Sequence, residues 1–235
     1  MTKQTTLIAS TMVDTDQKLK LSSLFCLFQD IATLDAETIG YKKAITTDIG
    51  KLWVFTRVYV EIYSYPKYLT ESNLTTYPGA RKVFAFPRHL KVDSLSKEKQ
   101  IRLSSLWALI DASSRQLILH PEVPEVEGVH EEDELPLPGK VVAKPCSYRY
   151  QRTIRHSDLD FNGHLNNTRY LELLVDAYPT SFYKQKEIAS LLLNFESEVH
   201  EGETIEVYAS EDASYIAGKV AEHTVFEANL TYRNL

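Results

Sequence analysis

Cysteine is scarce in this chain: Cys26 and Cys146 are the only two. Two thiols are too few for a disulfide framework and fit a reducing compartment. Long apolar runs are missing as well. None approaches the roughly 18 residues that a membrane-spanning helix needs. The opening residues, MTKQTTLIAS, lack the apolar core of a signal peptide, so the expected location is cytoplasmic. The phosphate-cradling patterns G-x-x-x-x-G-K-[ST] and G-x-G-x-x-G do not occur, nor does the serine-hydrolase elbow G-x-S-x-G. There is no excess of positive charge. A net charge of −6 speaks against general nucleic-acid binding, although a local patch could still meet an acidic partner.

What is present is enough apolar material for a sizeable core, 43% of 235 residues. Residues 21–39 carry Leu21, Leu24, Phe25, Phe28, Ile31 and Ala32 at helical spacing, with Gly40 as a stop signal. Stretches 52–63 and 101–111 are rich in β-branched and aromatic residues and predict strands. Residues 121–145 are rich in proline and acid and read as a linker. Beyond it the plan repeats. A strand is expected at 148–154, a helix from about 165 to 178, and strands near 190–198, 203–209, 215–221 and 225–233. The last of these alternates cleanly, with Phe226, Ala228, Leu230 and Tyr232 on one face. The expected division is an N-terminal repeat over 1–125, a linker over 126–145 and a C-terminal repeat over 146–235. An ungapped overlay at an offset of 144 places Asp14 on Asp158, Asp16 on Asp160, Leu21 on Leu165 and Leu27 on Leu171. It also sets Lys18 on Asn162 and Lys20 on His164, which predicts one working site per chain, in the second half. A helix packed across an antiparallel sheet, used twice, is an α+β fold of double hot-dog type.

Chemistry concentrates in residues 156–167, HSDLDFNGHLNN, between a predicted strand and a predicted helix. A loop entering a helix aims free backbone N–H groups and a partial positive charge at whatever sits there. That suits a carbonyl gaining negative charge during attack. Asp and Asn also favour helix-capping turns, so the same composition fits a purely structural turn. Two metal readings fail. Asp158-x-Asp160-x-Asn162-Gly163 matches the first half of a calcium loop, but its twelfth position holds Arg169 where a bidentate glutamate is required. His156 and His164 lack companions at zinc-ligand spacing. No metal and no cofactor is expected.

Residues 157–177, SDLDFNGHLNNTRYLELLVDA, resemble the signature D-x-N-x-H-[VL]-N-N-x-x-Y of the acyl-[acyl carrier protein] thioesterases. LWVFTRVYVEIYSYP (52–66) and SLWALIDASSRQ (105–116) resemble that family's tryptophan-bearing strands. The resemblance implies a tandem hot dog with one working site, built from Asp160, Asn162 and His164. It implies a further glutamate at Glu198, in the stretch LLNFESEVH (192–200). Plant relatives carry a cysteine after that glutamate, whereas Val199 stands here, which argues against a thiol nucleophile. The implied activity is release of free fatty acid from an acyl carrier protein bearing an acyl-phosphopantetheine thioester. Glu198 would act as general base on water. Asn162, His164 and the helix N-terminus would polarise the carbonyl, and Asp160 would orient His164 or a neighbouring amide. His164 is the other group that could serve as base. An acyl-CoA thioesterase of the same fold and a non-catalytic acyl-binding protein are the alternatives, and a homodimer is open.

Other residues receive plainer readings. Tyr170 and Cys26 are expected in the core. Arg169 is expected at the surface or on a phosphate. Arg81, Lys82, Arg88, His89 and Lys91 are expected on a solvated sheet face, with contact to the carrier protein as the second reading. Trp53 and Trp107 are expected to pack the first sheet and could line an acyl tunnel.

Overall fold

A computed structural model of the chain describes residues 1–42, 44, 46–119, 122–124, 126 and 135–235. The chain divides into two compact units: Met1–Lys20 with Cys26–Pro138, and Leu21–Phe25 with Gly139–Leu235. The division between 138 and 139 falls inside the stretch expected as a linker, of which residues 127–134 lie outside the described residues.

In the first unit, β1 (Thr2–Leu7) precedes α1 (Leu21–Thr38), followed by β2 (Lys51–Ile62), β3 (Glu71–Pro78), β4 (Phe86–Ser94) and β5 (Lys99–Asp111). Its antiparallel sheet runs β1-β3-β4-β5-β2. The helix forms where the apolar stripe predicts it. Phe28, fully buried, packs its ring 6.0 Å from Phe55 on β2 and 6.4 Å from Trp107 on β5. The helix stops at Gly40, whose φ of +98° favours glycine, and Tyr41 N–H returns to Ala36 C=O at 2.9 Å. Cys26 is exposed rather than buried. It lies one position past Phe25, about 100° around the helix and off the stripe.

The second unit repeats the plan. β6 (Ser147–Thr153) precedes α2 (Asn167–Val175) and the single turn α3 (Thr180–Tyr183). Then come β7 (Lys186–Phe195), β8 (Thr204–Ala209), β9 (Tyr215–Val220) and β10 (His223–Asn234). The sheet order β6-β8-β9-β10-β7 repeats that of the first unit. Phe226, Ala228 and Leu230 are buried, as the alternation of β10 predicts. Tyr170 of α2 sets its ring edge against Phe195 at 5.2 Å and Phe226 at 5.6 Å, so the expected core reading of Tyr170 holds. The helix is shorter than expected. Asn166 caps it, and after Val175 the backbone tightens into three-residue turns before Pro179, which has no N–H to give. The end of the expected linker is fastened to this sheet: Asn229 of β10 accepts from Val142 N–H at 2.8 Å and donates to its C=O at 2.9 Å.

The basic cluster of the first half is solvated only in part: Arg81 and Lys82 are exposed and Lys91 is half-buried. Arg88 and His89 are buried. Arg88 forms an ion pair of 2.7 Å with Asp35, a wholly buried residue of α1, which also accepts from Thr2 Oγ1 at 2.8 Å. Lys91 lies over the Tyr77 ring and Arg81 over that of Phe86. No described helix is long and apolar enough to cross a membrane.

Candidate active site

The polar run 156–167 forms a turn between β6 and α2, folded by one carboxylate. Asp160 Oδ1 accepts the N–H of Asn162 at 2.8 Å and of His164 at 3.2 Å. Asp160 N–H donates to His164 C=O at 2.8 Å, and Gly163, at φ +80°, donates to Asp160 C=O at 3.1 Å. Asp160 therefore meets His164 through its backbone amide, and its carboxylate holds the shape of the loop. Asp158 is buried and takes an ion pair from Arg152 and the N–H of Arg155 at 3.0 Å. Arg169 is held by Glu172, with both carboxylate oxygens at 2.9 Å, and is not a free cation waiting for phosphate.

The helix entrance is largely occupied by its own cap. Asn166 Oδ1 accepts Thr168 N–H at 3.0 Å, and Asn166 C=O accepts Arg169 N–H at 2.8 Å. Two first-turn donors expected to face a substrate are thus already engaged. A carbonyl placed here would meet side-chain donors more than first-turn amides. The Asn162 side chain stands exposed at the tip, next to Phe161, a phenyl 92% exposed.

Glu198 does not lie on a strand. β7 ends at Phe195, and Glu198 sits in the connection to β8. That connection folds back onto the loop, with Leu165 N–H donating to Val199 C=O at 2.8 Å. The result brings Glu198 Oε1 to 3.5 Å from His164 Nδ1. The imidazole is about four-fifths covered, with 19% of its surface exposed, and the carboxylate is more open at 38%. Val199 is wholly buried, so the side chain at the position where plant relatives were expected to carry cysteine points into the core. Tyr170 stands behind the loop, its hydroxyl donating to Ser197 C=O at 3.4 Å. Burial, with the nearby Asp160 and Glu203 carboxylates, pushes its phenol well above the ordinary range, so it stays protonated. Reading the sequence missed His200, whose ring meets that of His164 edge-on at 4.9 Å. The available signal was its place two residues after Glu198, on the same side of an extended segment.

The first unit builds the same loop, and the correspondence corrects the register of the repeat. Asp14 Oδ1 accepts Asp16 N–H at 2.8 Å and Lys18 N–H at 3.0 Å, while Asp14 N–H donates to Lys18 C=O and Gln17 N–H to Asp14 C=O. The isolated bridge Val13–Leu19 answers Leu159–Leu165. The offset is therefore 146, from Asp14 to Asp160, and not 144. Asp16 corresponds to Asn162, Lys18 to His164 and Lys20 to the capping Asn166. Leu19 N–H donates to Pro66 C=O as Leu165 N–H does to Val199 C=O, which sets Tyr65 at the place of Glu198 and Lys67 at that of His200. Lys18 Nζ lies 5.7 Å from the Tyr65 ring centre, where the second unit has an imidazole beside a carboxylate.

The family models of the acyl-ACP thioesterase N-terminal and C-terminal domains match residues 1–125 and 143–232. This chain belongs to the acyl-ACP thioesterase family. A chloroplastic acyl-[acyl-carrier-protein] hydrolase of Cuphea viscosissima is 25% identical over 227 residues, covering 90% of this chain and 55% of that protein. The chloroplastic oleoyl-acyl carrier protein thioesterase 1 of Arabidopsis thaliana is 21% identical over 224 residues, covering 87% of this chain and 62% of that protein. The chain thus spans less than two-thirds of the length of these relatives. The crystal structure of an acyl-ACP thioesterase from Bacteroides thetaiotaomicron has a TM-score of 0.91 at 20% identity, covering 99% of this chain and 97% of that one. The 12:0-ACP thioesterase of Umbellularia californica gives 0.83 at 20% identity, covering 100% and 97%. The fold is the α+β tandem hot dog that the sequence led us to expect.

Proposed function

We propose that this chain hydrolyses the thioester of an acyl-phosphopantetheine carried on an acyl carrier protein and releases a free fatty acid. The observation that carries the reading is the approach of His164 Nδ1 to Glu198 Oε1, beside a loop shaped by Asp160. A thioester needs an activated water and a donor for the oxygen that gains charge. Glu198, the more open of the pair, takes a proton from water as the water oxygen bonds to the carbonyl carbon. The His164 imidazole and the exposed Asn162 amide donate to the developing oxyanion. Collapse breaks the C–S bond, and the proton held by Glu198 passes to the leaving sulfur. Asp160 keeps both donor-bearing residues in place through their backbone amides.

The facing of Nδ1 toward the carboxylate also favours a second assignment on the same residues. Glu198 would orient the ring and the other imidazole nitrogen would take the proton from water. Both assignments predict hydrolysis, unlike a non-catalytic acyl-binding protein. A thiol-detecting assay on acyl-carrier and acyl-CoA substrates separates the three functions. Faster turnover of the carrier-bound thioester is expected. Preference for CoA would make the chain an acyl-CoA thioesterase, and binding without released thiol would leave only acyl binding. Catalytic residues, carrier partner and a cytoplasmic setting with the exposed Cys26 and Cys146 reduced all belong to this proposal. So does the division into a non-catalytic repeat over 1–125 and a catalytic one over 146–235.

A further inference from the structure

His200 has no part in the hydrolysis just described, yet the backbone delivers it to the same imidazole. Val199 is wholly buried, and its carbonyl is pinned by Leu165 N–H at 2.8 Å. Across Glu198, Val199 and His200 the chain alternates exposed, buried, exposed, so Glu198 and His200 both face away from the core. Leu165 directly follows His164, so the bond that pins Val199 also brings His164 to the pair. The His164 and His200 rings meet at 4.9 Å between centres and 70° between planes. His200 is itself held in its turn: its N–H donates to Glu203 Oε2 at 2.6 Å, and its C=O accepts Glu203 N–H at 3.3 Å.

We propose that His200 is a positioning residue for His164. Its ring edge restricts the imidazole to the orientation in which Nδ1 faces Glu198. A histidine side chain otherwise samples several staggered wells about its first torsion, and its second torsion is broad. The proposal rests on the reading of His164 and Glu198 as the hydrolytic pair. The first unit provides an internal comparison. Its loop has the same backbone frame, with Lys18 and Lys67 bridged where His164 and His200 stand, and neither position carries a ring. Where the imidazole is gone, its ring partner is gone too. The titratable groups around the pair include Glu198 and Glu203 from the connection after β7, and Asp160 from the loop before α2.

The test uses the full chain with His200→Ala and His200→Phe. Steady-state hydrolysis of an acyl-carrier thioester is read beside nitrogen NMR of the His164 ring, which reports its tautomer. Misplacing a reacting group by about 1 Å can cost up to about a hundredfold. A ring that is only released should lose less, and His200→Ala is expected to lower kcat about tenfold with KM within about twofold. The His164 ring should change from one tautomer to a mixture. His200→Phe keeps a ring edge and should recover kcat to within about threefold, with the single tautomer restored. If His200→Ala leaves both kcat and the His164 signals as in the parent, the inference is wrong. It is also wrong if a folded His200→Phe is as slow as His200→Ala, since the imidazole itself would then be needed. Should the parent release no thiol at all, the hydrolase reading falls. The NMR comparison then still decides the positioning claim, supporting it if alanine frees the ring and phenylalanine holds it.

Discussion

At the scale of single residues, the roles of Glu198 and His164 are separable because they differ in what a substitution leaves behind. Glu198→Gln keeps the shape and removes the proton acceptor. If Glu198 is the base, the rate should fall by about a hundredfold to ten-thousandfold, and the acid limb of the pH–rate profile should disappear. His164→Gln should be slow through lost carbonyl polarisation while keeping that limb. The reverse pattern, with the limb surviving in Glu198→Gln and vanishing in His164→Gln, would assign the base to His164. A second residue-scale prediction concerns Asp35. Burial works to raise its pKa, but hydrogen bonds from Arg88 and Thr2 outweigh burial and hold it below the ordinary value of 3.8. A carboxyl depressed in the folded state stabilises fully above its unfolded pKa and loses that contribution as pH falls through the lower folded value. Urea denaturation should therefore show the contribution constant from neutral pH to about pH 5 and declining below about pH 4. Arg88→Met should cost about 1.5–3 kcal/mol near neutral pH, because it takes a charged hydrogen bond from a buried carboxylate that keeps Thr2 Oγ1 and the terminal ammonium. A cost below about 1 kcal/mol would mean that the pair is not the buried tie described.

At the scale of elements, the two Asp-folded loops share one hydrogen-bond pattern and one demand on the chain. Gly163 sits at φ +80° and its counterpart Gln17 at +59°. A Cβ at Gly163 would meet nothing within 4 Å, so the cost of adding one is conformational, not steric crowding by neighbours. Left-handed backbone costs a non-glycine residue about 1–2 kcal/mol. Gly163→Ala should lower the melting temperature by roughly 2–8 °C and slow turnover, whereas Gln17→Gly should raise it slightly. Equal melting temperatures for Gly163→Ala and the parent would show that the loop relaxes into another shape. The helices differ in the same register. Asn166 caps α2 with its side chain, and Lys20, its counterpart before α1, does not.

At the scale of the whole molecule, a duplicated frame carries the proposed catalytic side chains in its second half. Asp16, Lys18 and Tyr65 occupy the places of Asn162, His164 and Glu198, and they supply no imidazole beside a carboxylate. The triple change Asp16→Ala, Lys18→Ala and Tyr65→Phe should leave turnover within a few-fold, since a lost base or oxyanion donor is usually worth about a hundredfold or more. A hundredfold drop in a folded variant would give the first unit a share in the chemistry. Activity should likewise survive chelators and the paired changes Cys26→Ala and Cys146→Ala. The thiol part follows from Val199, buried in the core at the position where plant relatives were expected to carry cysteine. Complete loss with stability unchanged would overturn direct hydrolysis by these side chains.

The sequence by itself determined α1, α2, β2, β5 and β6 to β10 in their order, because these are written in local periods, whereas β1, β3 and β4 came only with the structure. The stripe of α1, the alternation of β10 and the dense loop 156–167 all fall where the pattern places them, and the loop opened the stretch that carried the strongest part of the family resemblance. The relations across long separations were decided by the tertiary structure. Short identities put the repeat two residues out of register, since Asp158 and Asp160 look alike in sequence. Only the backbone amides that Asp160 holds distinguish them. Arg88 and His89 read as solvated because their burying partners, Asp35 among them, lie far along the chain. His200 was missed for the same reason: a turn residue becomes the neighbour of His164 only when Leu165 N–H finds Val199 C=O, a bond across 33 residues of intervening chain.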